Sequence, residues 1–296
     1  MAAMACLCVV LAGCSSASKL LDGSSSTSSE GVKTDGKGRA LSPDMIAADQ
    51  TDPVADLYNR GLADLQSGSY KAAAKNFAEV ERQYPYSKWA TKAIIMQAYA
   101  FYQRSSYDDS INASTRFITL HPGSQDAPYA YYLIALCNYE QIKDVQRDQT
   151  TTQKALDSLQ EVQQRFPDTP YAQDAALKMQ LAKDHLAAKE MDVGRYYLKN
   201  KSYLAGINRF KKVVIDYQTT AQVPEALYRL SEAYMALGVT SEAQTAAAVL
   251  GHNFPNSQWY KDAYTLVSSD GRAPLENQSS WISRAFKSVN PFEPLQ

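Results

Sequence analysis

The chain predicts an all-α solenoid of about five helical hairpins followed by a C-terminal helix. Three observations lead there. An aromatic residue or His followed by Pro recurs at Tyr84-Pro85, His121-Pro122, Phe166-Pro167 and Phe254-Pro255. Ahead of each, apolar residues fall at helical spacing, as in Ala73, Phe77, Val80 and Tyr84. Behind each comes a short polar break with a Ser or Thr suited to cap a new helix, namely Ser87, Ser124, Thr169 and Ser257. Proline has no N–H and disfavours the α conformation in the residue before it, so each dipeptide closes one helix.

Pro85 to Pro122 spans 37 residues, close to the period of about 34 of a tetratricopeptide (TPR) unit. The predicted solenoid covers residues 53–267, and each unit keeps part of one pattern. In the first, Leu57, Gly61, Gly68, Tyr70, Ala73, Phe77 and Pro85 supply a large apolar residue, a small one, the turn, and a small residue facing a ring. The second keeps Ala98, Phe101, Tyr107, Phe117 and Pro122, with Ser110 at the small position. The third carries a polar insertion near Lys143 to Gln149. The fourth has a long first helix from about Tyr171 to Asn200, then Tyr203, Gly206, Phe210 and Val213, with Gln218 where the others have Pro. The fifth keeps Leu227, Tyr234, Gly238, Ala243, Leu250 and Pro255, and a last helix follows near Gln258 to Val267.

Leu11-Ala12-Gly13-Cys14 closes a short apolar run and reads as a lipobox. Residues 1–13 are then a lipoprotein signal peptide, and Cys14 is the lipidated N-terminus. Lipoprotein processing adds more than one acyl chain, which anchors stably where a single chain does not. Ser15 and Ser16, with no Asp after the cysteine, match the sorting pattern of a lipoprotein sent to the outer membrane, where the chain would sit lipid-anchored on the periplasmic face. The rest of residues 14–52 is rich in Ser, Gly, Asp, Thr and Lys and reads as a disordered tether. As a Gly/Ser-like coil of about 38 residues it reaches roughly 30 to 40 Å.

A formal net charge of −1 on 296 residues argues against a nucleic-acid partner. Of four cysteines, Cys6 and Cys8 leave with the signal peptide and Cys14 takes lipid, so Cys137 alone remains, as a small core hydrophobe. No later segment has the roughly 18 apolar residues of a membrane span. His121, His185 and His252 fall in different units without metal-ligand spacing, and no phosphate loop or nucleophile motif appears. The expectation is a non-enzymatic protein with no metal and no cofactor beyond the lipid on Cys14.

Two surfaces stand out. The inner positions of the first three A helices are Tyr58, Leu62 and Leu65, then Ile95, Tyr99 and Tyr102, then Tyr132, Leu136 and Tyr139. Within each helix they share a face, and tyrosine, a rigid apolar ring with a polar tip, suits a peptide-binding groove. The competing reading is that several of these rings pack between repeats as core. The second surface is a basic cluster in the fourth unit, Arg195, Lys199, Lys201, Arg209, Lys211 and Lys212 against Asp192 and Asp216. It reads as a partner-binding patch for an acidic domain or as a solvated helix face. Within it Arg209, beside Phe210, is the sharper candidate. The tail, 268–296, carries a short amphipathic stretch, Trp281 to Phe286, read as loose or as docking a partner or the lipid surface.

Together the lipobox, tether and interrupted repeats resemble the BamD family of TPR lipoproteins of the outer-membrane β-barrel assembly machinery, the BAM complex. The resemblance covers roughly residues 50–267 and rests on Asp56-Leu57-Tyr58-Asn59, Arg82-Gln83-Tyr84-Pro85, Tyr99-Ala100-Phe101-Tyr102, Arg116-Phe117-Ile118 with Pro122, and Gly206-Ile207-Asn208-Arg209. It implies that the N-terminal repeats receive the C-terminal targeting segment of unfolded outer-membrane protein precursors, an extended strand ending in an aromatic residue. It also implies that the C-terminal repeats clasp the periplasmic repeat domains of the barrel-forming subunit, with Arg209 at a contact position, and that accessory lipoproteins attach. The long Ser-rich tether, Gln218 and the tail depart from the family pattern. The alternative is a periplasmic TPR adaptor that coordinates peptidoglycan or cell-division complexes.

Overall fold

The computed structural model describes residues 47–48, 54–142 and 149–287. The expected signal peptide, Cys14, nearly all of the tether, the insertion from Lys143 and the last nine residues lie outside that range. Among the described residues every regular element is a helix. Five hairpins follow in order: α1 (Ala55–Gln66) with α2 (Tyr70–Gln83), α3 (Lys88–Gln103) with α4 (Tyr107–Leu120), α5 (Ala127–Glu140) with α6 (Thr150–Arg165), α7 (Pro170–Lys199) with α8 (Tyr203–Asp216), and α9 (Val223–Ala236) with α10 (Thr240–Asn253). Then come α11 (Gln258–Ser268) and α12 (Trp281–Lys287). Each helix packs on the next through α10, and α1 touches α3, α3 touches α5 and α5 touches α7, so the first helices of the units line one face of the array.

The helix ends follow the sequence pattern. Tyr84, His121, Phe166, Tyr217 and Phe254 each donate their N–H to the carbonyl four residues back, at 2.8 to 3.1 Å, and close the second helix of a unit. Ser87, Thr169 and Ser257 cap α3, α7 and α11, each hydroxyl accepting a backbone N–H of the first turn. Ser124 does not cap α5. That helix starts at Ala127 with Pro128 in its first turn, and Ser124 Oγ instead accepts from Asp126 N at 3.2 Å.

Within hairpins one turn recurs. Gly68, Ser105, Lys201 and Gly238 all have φ between 59° and 77°. In each case the next residue donates its N–H to the carbonyl five residues back, as Ser69 does to Asp64 and Ser202 to Tyr197. This is the left-handed closure that satisfies the last carbonyls of a helix. Close helix approach comes from small residues: a Cβ on Gly61 would lie 2.7 Å from the Phe77 ring, and one on Gly194 2.5 Å from the Phe210 ring. Ser110, at the small position of the second unit, donates its hydroxyl to the Ala98 carbonyl at 2.8 Å, and Ser231 does the same to Ala243 at 2.9 Å.

Two apolar cores result. One runs from α1 through α6 to Met179 of α7, the other from Ala187 of α7 through α11 to Ile282 of α12. The 30 residues of α7 belong to both.

The described part of the tail, read in the sequence as loose or as docking a partner or the lipid surface, packs on the chain's own helices. α12 lies against α10 and α8 with Ile282 fully buried. Trp281 Nε1 donates to Tyr234 Oη at 3.1 Å, Lys211 Nζ lies 4.9 Å from the Trp281 ring centre, and Ser280 Oγ donates to Glu242 at 2.6 Å. Gln218, where the other units have Pro, donates to the Ala285 carbonyl at 2.9 Å and so holds the tail.

Candidate docking surfaces

The seven residues expected to line a peptide groove divide in two. Tyr58, Leu62, Ile95 and Tyr132 are buried between helices, so they are core and not contact residues, and the expectation is corrected for these four. The physical reason is the packing of α1 on α3 and of α5 on α7. Tyr58 sits against Phe77 and Trp89 with ring centres at 5.5 and 4.8 Å, and Tyr132 stacks near Tyr171 at 5.2 Å while donating to Asp174 at 2.5 Å. Leu65 and Leu136 are buried as well.

Tyr99, Tyr102 and Tyr139, on α3 and α5, border the core and are partly exposed. Gln103 donates to the Tyr99 hydroxyl at 2.5 Å, and Tyr102 faces Glu140, oxygen to oxygen 3.4 Å. Burial, then the nearby Glu140 carboxylate, raises the Tyr102 phenol well above its usual range, and the same two causes raise Tyr139. Both hydroxyls therefore remain protonated donors. Lys178 reaches from α7 to within 5.6 Å of the Tyr139 ring centre while paired to Asp174 at 3.2 Å. Next to it and one turn on, Leu177 and Leu181 are exposed at 70% and 52%. The face is thus aromatic on α3 and α5, and apolar with one neutralised ion pair on α7.

The basic cluster is mostly neutralised within the chain, which corrects its reading as a free patch. Arg195 grips Glu225 of α9 through Nε and Nη2 at 2.9 and 2.6 Å and Asp192 through Nη1 at 2.7 Å. Arg209 and Lys212 both bind Glu190, at 3.0 and 2.8 Å, and Lys211 lies on Trp281. Burial disfavours the charged form of Glu190, but the hydrogen bonds from Lys212 and Arg209 outweigh it and hold the carboxyl below its usual range. Glu225 is lowered the same way, burial opposing and Arg195 and Arg229 prevailing. The side chains of Arg209 and Lys212 stay 43% and 45% exposed, and Lys199 is exposed.

A model of the YfiO family, described as outer membrane lipoprotein, matches residues 50–250, more than half of the chain. The chain belongs to that family. Among YfiO relatives, the outer membrane protein assembly factor BamD of Caulobacter vibrioides is 48% identical over 237 residues, 80% of this chain and 77% of the relative. BamD of Rickettsia prowazekii is 45% identical over 79% of this chain and 91% of its own length. BamD of Neisseria meningitidis serogroup A is 34% identical over 71% and 83%. This YfiO member is therefore an outer-membrane-associated component of the protein assembly machinery, and the peptidoglycan or division adaptor is not favoured. The strap formed by α12 lies beyond the residues the family model matches.

Glu190, Glu225 and Arg229 were not singled out in the sequence. Glu190 had a usable signal: Gly194 of α7 and Gly206 of α8 meet, a Cβ on Gly206 lying 3.5 Å from the Gly194 carbonyl, and that register sets Glu190 opposite Arg209. Arg195 and Glu225 are 30 residues apart on separate units, and no local pattern joins them.

Proposed function

We propose that this protein is a lipid-anchored scaffold of the outer-membrane β-barrel assembly machinery. It is held to the periplasmic face of the outer membrane by acyl chains on Cys14 and works without nucleotide or metal. Its N-terminal repeats receive an extended segment of an unfolded outer-membrane protein precursor. Its C-terminal repeats bind the periplasmic domains of the barrel-forming subunit, and accessory lipoproteins attach to the same solenoid. The observation that carries the precursor role is the set Tyr99, Tyr102 and Tyr139, partly exposed rings on the face lined by the first helices of the units, with the hydroxyls of Tyr102 and Tyr139 held protonated. Rings of this kind give apolar contact at low entropic cost and hydrogen bonds at their tips, which suits a segment with alternating apolar and polar side chains. For the subunit contact the supporting feature is Arg209, anchored by one bond to Glu190 and otherwise open to solvent. The tether confines both partners near the membrane and raises their effective concentration.

The test is the double variant Tyr99→Ala with Tyr102→Ala. It should weaken binding of a precursor-derived peptide while the far-ultraviolet circular dichroism stays helical, because both rings border the core without being enclosed in it. Unchanged peptide affinity sinks the groove. Arg209→Glu should reduce co-purification of the barrel subunit, and undiminished recovery counts against that contact.

A further inference from the structure

Between α7 and α9, on the same face as the three partly exposed tyrosines but in the other half of the array, lies a cavity of about 280 Å³ lined by Arg195, Leu198, Lys199, Arg229 and Glu232. Three cations and one carboxylate line it, and Asp192 and Glu225 pair with the arginines from outside the lining. The two arginines are held from behind by Glu225, whose side chain is 11% exposed. Arg195 clasps it with two nitrogens and Arg229 donates Nε to it at 3.3 Å. Arg229 also donates Nη1 to Glu232 at 2.8 Å, and its guanidinium carbon lies 5.1 and 5.6 Å from the ring centres of Tyr228 and Trp259. So fixed, it keeps Nη2 without an acceptor, and Lys199 Nζ has none either, among the described residues. A guanidinium locked by a buried carboxylate and stacked on aromatic rings loses little freedom when it takes a further acceptor.

We infer that this cavity is a carboxylate receptor for a peptide lying along the first-helix face, with Arg229 Nη2 and Lys199 Nζ as the two donors. The carboxylate is either the terminal group of the bound segment or the side chain of an Asp or Glu within it. Leu198 and the nearby aromatic rings accommodate the apolar part of the same residue. The tyrosine groove offers no comparable group, since Lys178 there is already paired to Asp174. The inference rests on the precursor reading of that groove and adds where the charge of the segment is met.

The experiment uses the full chain and three fluorescent peptides of one apolar–polar alternating sequence ending in Phe: free acid, C-terminal amide, and amide with one internal Asp. Affinities are measured by anisotropy for wild type, Lys199→Glu, and Tyr99→Ala with Tyr102→Ala. Lys199 is exposed and without a partner, so its replacement leaves the fold intact. Wild type should bind at least one charged peptide about tenfold more tightly than the neutral amide, the size of a charge-assisted hydrogen bond, and Lys199→Glu should abolish the preference. Which charged peptide gains identifies the source of the carboxylate. Equal affinity for all three, or a preference that survives Lys199→Glu, overturns the receptor while leaving the groove intact if the tyrosine variant still weakens binding. If no peptide binds at all, the groove reading fails, and the receptor is then judged by acetylation of Lys199 read by mass spectrometry with and without N-acetylaspartate. Protection supports it, and an unchanged rate overturns it.

Discussion

Gln218 Nε2 donates to the carbonyl of Ala285 at 2.9 Å, joining the end of α8 to α12 across 67 residues of sequence. The bond ties the fourth unit to a strap that also engages the fifth through Tyr234, Glu242 and Thr245. Gln218→Ala should cost about 0.5 to 1.5 kcal/mol, the usual net worth of one hydrogen bond. It should also raise the rate of limited proteolysis within the exposed residues 270–279 and change the emission of Trp281. Equal cleavage rates for variant and wild type would show that the strap is held by its other contacts alone.

Ser105 and Lys201 hold left-handed backbone, with φ of 60° and 59°, where the first and fifth units use Gly68 and Gly238. That conformation costs an L-residue about 1 to 2 kcal/mol, and the greater freedom of glycine in the unfolded chain returns up to about 1 kcal/mol of it. Lys201→Gly should therefore stabilise by about 0.5 to 1 kcal/mol in urea titrations. Gly68→Ala should destabilise, and the opposite order would refute the turn analysis.

Gly194→Ala forces a Cβ to within 2.5 Å of the Phe210 ring. The hairpin of α7 and α8 must open to admit it, at about 1 to 3 kcal/mol. Pairing the change with Phe210→Leu should recover part of the loss, and strictly additive losses would contradict the contact.

Glu190 and Glu225 both ionise more easily folded than unfolded. A carboxyl with a lowered folded pKa stabilises fully above its unfolded value, about 4.3, and loses that contribution as pH falls through the folded value. Glu190→Gln should be less stable than wild type by about 1 kcal/mol at pH 7, a figure kept small because Arg209 and Lys212 are half-exposed and screened. The gap should narrow as pH falls below the unfolded value and through the lowered folded one, and a gap that does not change with acidification would exclude the ion pairs as its origin.

The sequence carried the array and left the surfaces ambiguous, for separable reasons. Helix ends depend on neighbours in the chain, so Tyr84-Pro85 and Ser87 were readable where they stand. Whether a tyrosine is core or groove depends on how one unit seats on the next. Tyr58 and Tyr99 look alike along the chain, yet Tyr58 is enclosed under Trp89 while Tyr99 only borders the core. The basic cluster misled because its acids, Glu190 and Glu225, come from other turns and other helices. Gln218 looked like a lapse in the repeat, and its partner lies in a tail that the repeat does not include.

Because α7 is one uninterrupted helix of 30 residues shared by both cores, it works as a gauge between the aromatic face and the arginine- and lysine-lined cavity. Its length of roughly 45 Å and its winding of about 100° per residue fix both the spacing and the angular phase of the two halves. Adding one residue near Lys183 would swing everything downstream through about a quarter turn, whereas adding a heptad would nearly restore the phase and only lengthen the reach. Whatever is held at the two ends is therefore presented in a set orientation, fixed within the array itself.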